Sequence, residues 1–117
     1  MALNKLTVKD IAFLQKSKVS SEALKSALKG DFERAKELFE TSFRNNGADP
    51  SAVCQELYDT ILSLPEAEAK RTVKIRLYIK LAETESRIKA GSEPQIQLVG
   101  FFAFAWLAPH LSDKTPV

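Results

Sequence analysis

Ala27-Leu28-Lys29-Gly30-Asp31-Phe32-Glu33-Arg34-Ala35-Lys36-Glu37-Leu38 is the stretch on which the fold turns. Gly30 stops one helix, because glycine alone enters the left-handed conformation beyond a helix end without a steric penalty. Asp31 caps the next at once, its carboxylate accepting from the free N–H groups of the first turn. Upstream, Ala23, Leu24, Ala27 and Leu28 fall on one helical face, with Ser20 or Ser21 as the expected cap. Downstream, Phe32, Ala35, Leu38, Phe39 and Phe43 recur at 3–4 spacing, while Glu33, Arg34, Lys36 and Glu37 lie mostly elsewhere. Two helices joined through one glycine must turn sharply, which predicts an αα-hairpin.

The same grammar extends in both directions. Thr7 and Asp10 read as a weaker form of capping box that opens a short helix over 8–16 carrying Val8, Ile11, Ala12 and Phe13. Asn45-Asn46-Gly47 ends the helix that Asp31 opens. Asp49-Pro50 begins a fourth, with aspartate as cap and proline at the first helical position. Its inner face is Val53, Cys54, Leu57, Tyr58, Ile61 and Leu64. Ser63 and Glu66 have the spacing of a capping box, and Pro65 forbids a smooth continuation. The fifth helix is expected over 66–90, with a stripe of Ala69, Val73, Leu77, Leu81, Thr84 and Ile88 widened by Ile75, Tyr78, Ile79 and Ala82. Gly91 stops it, and Ser92 with Gln95 reads as a second capping box. A last helix over 94–108 ends at Pro109, and Leu111 to Val117 read as a frayed tail. The expected fold is all-α: one domain over 1–117, a bundle of five to six helices.

Composition agrees. A chain of 117 residues buries one core, and 44% hydrophobic with 27% charged residues is ordinary for a globular protein. Four glycines and five prolines are too few for a turn-rich all-β chain. The net charge of +2 is too balanced to argue for nucleic acid by itself. A single cysteine forms no intramolecular disulfide and fits a reducing compartment. The first residues show no apolar signal-peptide run. The most apolar stretch, Ile96–Ala108, is 13 residues, short of the roughly 20 that span a membrane.

Enzyme signatures are missing: no phosphate loop, no dinucleotide fingerprint, no zinc-protease motif. His110, the one histidine, sits beside Pro109 and reads as a surface residue. Cys54, on an apolar face with no histidine to activate it, reads as a buried structural thiol. No catalytic residue, cofactor or metal is expected. Glu83 and Arg87 form an i,i+4 pair, as do Lys36 and Glu40; such pairs usually decorate solvated faces, and one covered by another subunit would set register. Lys70, Arg71, Lys74, Arg76 and Lys80 make the first half of the long helix basic, a solvated or intersubunit face or a weak DNA contact. Phe101, Phe102, Phe104 and Trp106 fall within six positions of an uncharged helix and point in several directions around it. That helix is either central to the bundle or part of a subunit interface.

The order of these pieces resembles a known family. Ala27 to Leu38, Asn46-Gly47-Ala48-Asp49, Leu62-Ser63-Leu64-Pro65, Ala82-Glu83-Thr84-Glu85-Ser86-Arg87-Ile88-Lys89-Ala90-Gly91 and Gln97-Leu98 are similar, in sequence and spacing, to the C-terminal collar domain of the replication factor C (clamp-loader) small subunits. The resemblance covers about 8–108, leaving 109–117 as tail. It implies an oligomerisation domain that holds subunits in a ring while ATPase modules load a sliding clamp on primed DNA. Those modules, with the family's nucleotide, clamp and DNA contacts, have no counterpart in these residues. The resemblance implies partners among other clamp-loader subunits, in a homo- or hetero-oligomer, with no membrane, and a cytoplasmic (archaeal) or nuclear (eukaryotic) location. Two alternatives stay open: a piece of a longer subunit or a standalone relative. The rival reading is a freestanding helical adaptor that binds a protein through its apolar C-terminal helix.

Overall fold

The computed structural model describes residues 19–112. Backbone from 19 to 28 is helical (α1); then come α2 (Phe32–Asn46), α3 (Pro50–Ser63), α4 (Arg71–Lys89) and α5 (Pro94–Leu107). A 3-10 turn, Ala108–His110, closes the last of them. No strand occurs among the described residues, so the fold is all-α as expected. The helix expected over 8–16 lies outside the described residues.

The hairpin at Gly30 forms as the sequence dictates. Gly30 takes φ +97°, and the Gly30 and Asp31 N–H groups bond back to the Ala27 and Ser26 carbonyls, a closure that occupies two of the acceptors left at the end of α1. Asp31 Oδ1 then accepts from the Arg34 N–H at 3.0 Å, and Asp49 Oδ2 from the Ala52 N–H at 3.3 Å. Gly47 and Gly91 end α2 and α4 at φ +59° and +108°.

Four local expectations are corrected, two by a neighbouring helix and two by the turn that Pro65 opens. Ser20 and Ser21 lie inside α1 rather than capping it: the Ser21 N–H donates to Glu56 Oε2 at 2.9 Å and its hydroxyl accepts from Thr60, which fastens α1 to α3. The long helix starts at Arg71, not 66, because Pro65 opens a turn whose carbonyl accepts from Glu68 and Ala69. Glu66 therefore does not pair with Ser63; it reaches forward to the Arg71 N–H at 3.2 Å and caps α4. Glu93, not Ser92, caps α5, and Gln95 crosses to Glu40 Oε2 on α2 at 3.2 Å. The start of the expected tail is also held: the Ser112 carbonyl accepts from the buried Arg76 guanidinium.

α5 packs against both α2 and α4, and α3 against α4. One apolar cluster joins them, with Leu24, Phe39, Leu57, Leu77, Leu98, Phe101 and Phe102 almost fully buried. Rings meet at its centre: Phe39 lies 5.3 Å from Phe102, and Phe102 lies 5.7 Å from Phe101 at a steep angle, the tilted packing that aromatic quadrupoles favour.

Candidate functional site

α5 carries no charged side chain from Pro94 to Leu107, so its outer face is the natural place to seek a site. Leu98, Phe101, Phe102 and Ala105 turn inward and are buried. At 100° per residue, the opposite line is Ile96, Gly100, Ala103 and Leu107. Ile96 is 68% exposed and Leu107 42%, with Gly100 exposed between them and Ala103 half-buried.

The aromatic cluster read from the sequence divides accordingly. Phe101 and Phe102 are core residues with no exposed surface. Phe104 is half-buried, with the Lys80 ammonium 5.6 Å from its ring centroid. Trp106 is exposed on one edge, and its Nε1–H donates to the Gly30 carbonyl at 3.3 Å. Ile96 and Leu107 were not singled out from the sequence. Their signal was the 4-3-4 spacing of apolar and small residues on the line away from the buried ones, which an aromatic count passes over.

A second outward apolar surface lies on α4. Ile75, Tyr78 and Ile79 are each more than two-fifths exposed, as is Leu62 at the end of α3. Leu62, Ile75 and Tyr78 edge a cleft of about 420 Å3.

The five basic residues read from the sequence, Lys70 at the cap of α4 and Arg71, Lys74, Arg76 and Lys80 within it, do not share one face. Lys70 and Arg71 are exposed. Lys74 turns back to α3, donating to the Leu64 carbonyl at 2.8 Å and the Leu62 carbonyl at 3.5 Å. Arg76 is buried under the chain's C-terminal turn. Lys80 donates to Glu83 Oε1 at 3.1 Å, and Arg87 reaches the same oxygen at 3.1 Å. That shared contact holds the Glu83 carboxyl below the usual carboxylate range, through the Lys80 hydrogen bond first and the two positive charges next. The Lys36–Glu40 pair spans 3.9 Å.

Cys54 is buried, as the sequence implied, and burial pushes its thiol up to about 11, helped by the negative charge of Glu85. A thiol held protonated in this way is a poor nucleophile. The neighbouring Tyr58 hydroxyl donates to Glu85 Oε1 at 2.9 Å; burial, then that bond, raises the phenol as well. His110 is exposed, its ring 6.1 Å from Trp106. Among the described residues no group of three His, Cys, Asp or Glu is placed to hold a metal ion, and no helix is long and apolar enough to cross a membrane.

An all-α bundle with a buried thiol and two outward apolar helix faces defines a helical module with surface left over for packing. Comparison with known proteins places it more closely. Residues 16–103 match the model of the replication factor C C-terminal domain, and the chain belongs to that family. It is 29% identical over 98 residues to the replication factor C small subunit of Archaeoglobus fulgidus, an alignment that takes in 84% of this chain and 30% of that relative. The chain is thus similar to a clamp-loader C-terminal domain and spans less than a third of that relative's length.

Proposed function

We propose that the chain, as one helical domain, is an association module of a clamp loader, holding subunits together while ATPase parts lying outside these residues do the work on clamp and DNA. The observation that supports this most is the outer line of α5, Ile96-Gly100-Ala103-Leu107. It is apolar, uncharged and left uncovered by the chain's own core. Surface of that kind gains by meeting another subunit, at about 25 cal/mol for each Å² removed from water. Gly100 and Ala103 at its middle allow a partner helix to approach closely. The Glu83–Arg87 pair and the apolar surface of α4 offer a second, different face, as a head-to-tail contact requires. On this reading the chain itself is not an enzyme, and it works inside the cell beside other clamp-loader subunits.

Sedimentation velocity tests the reading. The wild-type chain should self-associate by roughly a hundred micromolar, the range where weak contacts are populated. Leu107→Asp and Ile96→Asp should sediment as monomers with unchanged helical circular dichroism. Phe102→Asp, in the core, should instead lose its helical signal, because a buried unpaired charge costs more than a small domain can absorb. A wild-type chain that stays monomeric throughout would remove the support for self-association.

A further inference from the structure

Exposed apolar side chains gather on two faces: Leu62, Ile75 and Tyr78 about the α3–α4 cleft, and Ile96 and Leu107 on the outer line of α5. The most exposed of each set are Leu62, at 64%, and Ile96, at 68%. The charged residues lining the cleft are Arg71, Lys74 and Glu66. Two cations thus stand against one carboxylate, and that carboxylate is turned to the Arg71 N–H. The start of α5 has the opposite sign, for its exposed cap Glu93 sits one turn before Ile96. The two helices also match in relief. Along α4, Arg71, Ile75, Tyr78 and Ala82 recur at 4-3-4 spacing and are all exposed. Along α5, Glu93, Ile96, Gly100 and Ala103 recur at 3-4-3, on one face by the same rule. The bulky Tyr78 therefore holds the place in its row that Gly100 holds in the other. Among the described residues, nothing stands within 4 Å of the point that a Cβ on Gly100 would occupy.

We propose that the α3–α4 cleft receives the first half of α5 from a second copy of this chain, the helices running parallel, with Ile96 between Leu62 and Ile75, Glu93 facing Arg71 and the Tyr78 ring over Gly100. The proposal rests on the association reading above and specifies which surface meets which. A symmetric contact of α5 on α5 would cover Ile96 and leave Leu62 and Ile75 in water. The head-to-tail contact removes both apolar sets at once and places Glu93 beside two cations. Each copy carries one cleft and one α5, so a first contact leaves a free cleft at one end and a free α5 at the other. Association therefore continues past the dimer, into a ring if the rotation closes.

Two variants of the full chain, each lacking one half of the contact, test this by sedimentation velocity. Ile75→Asp spoils the cleft and Ile96→Asp spoils α5. Neither is a core residue, so each variant should keep its helical circular dichroism. Alone, each should be monomeric at roughly a hundred micromolar. Mixed in equal amounts, they should form a dimer and stop there, because the intact cleft of one takes the intact α5 of the other. Within that mixture, Arg71→Glu added to the Ile96→Asp chain should weaken the dimer at least about fivefold, and Lys70→Glu in its place no more than about twofold. A mixture that stays monomeric while the wild type associates would overturn the pairing and leave the association reading standing. Ile75→Asp associating alone as the wild type does, or equal effects of the two charge reversals, would overturn it in the same way. A wild type that stays monomeric would remove both.

Discussion

Cys54 shows how much a single burial decides. Its thiol is 1% exposed, and its ionisation is pushed from 9.0 up to about 11. In the unfolded chain the same thiol ionises near its ordinary value, so above about pH 9 the unfolded state gains a stabilising ionisation that the folded state resists. Stability tied to this residue is therefore complete below pH 9 and lost as pH rises towards 11. By about pH 10 the loss should reach about 1 kcal/mol. Tyr58, raised in the same direction, adds its own loss at higher pH. Urea titrations at about pH 8.5 and pH 10 check this: the midpoint should fall in the wild type and hold nearly steady in Cys54→Ala. At neutral pH that variant should cost about 1 kcal/mol in lost packing. Equal slopes for the two proteins would show that the thiol is not the titrating group.

Among the elements, α4 carries the most instructive assignments. Lys74 is basic by sequence, yet its ammonium sits on the carbonyls that end α3. Lys74→Met should remove that cap and lower stability by about 1 kcal/mol. Thermal unfolding measures it, with Lys70→Met, whose side chain is exposed, as the control expected to shift by less than half as much. The same contact explains what the sequence told and withheld. Gly30, Asp31, Gly47, Asp49 and Gly91 were legible because a cap is settled within four or five residues of backbone. Glu66 and Gln95 were not, because each carboxylate or amide chose between a local partner and one brought up by a turn or a neighbouring helix. Arg76 was counted with the basic face for a related reason. A guanidinium scores as polar in any periodicity, but it enters a core when a main-chain oxygen waits there. The candidate surface was legible in part. The uncharged run from Pro94 to Leu107 pointed to α5, and only packing showed that Ile96 and Leu107 face outward while Phe101 and Phe102 do not.

For the whole molecule, the divided basic set bears on nucleic acid. With Lys74, Arg76 and Lys80 engaged internally, only Lys70 and Arg71 of the five offer open charge. Two phosphate contacts support little affinity, and log K should fall with log salt at a slope near −2. Fluorescence anisotropy with primed DNA should show weak binding at physiological salt, weakened further by Lys70→Glu with Arg71→Glu. Salt-resistant binding at submicromolar concentration would promote this end of α4 to a DNA site. Calorimetry with ATP should register no saturable binding, since no phosphate loop is present to ring the polyphosphate with backbone N–H groups.

Trp106 links two parts of the chain that lie 76 residues apart, its indole N–H resting on the Gly30 carbonyl at the α1–α2 turn. It is also the single tryptophan of the protein. The emission spectrum of the molecule is therefore that of one junction, where the last helix closes on the first hairpin. Unfolding, loss of that closure and the approach of a neighbour to the outer side of α5 should each move the wavelength of its glow. The first two expose the indole to water and shift it to the red, while the third dries it and shifts it to the blue. The chain thus carries its own optical reporter, and opposite colours separate coming apart from coming together.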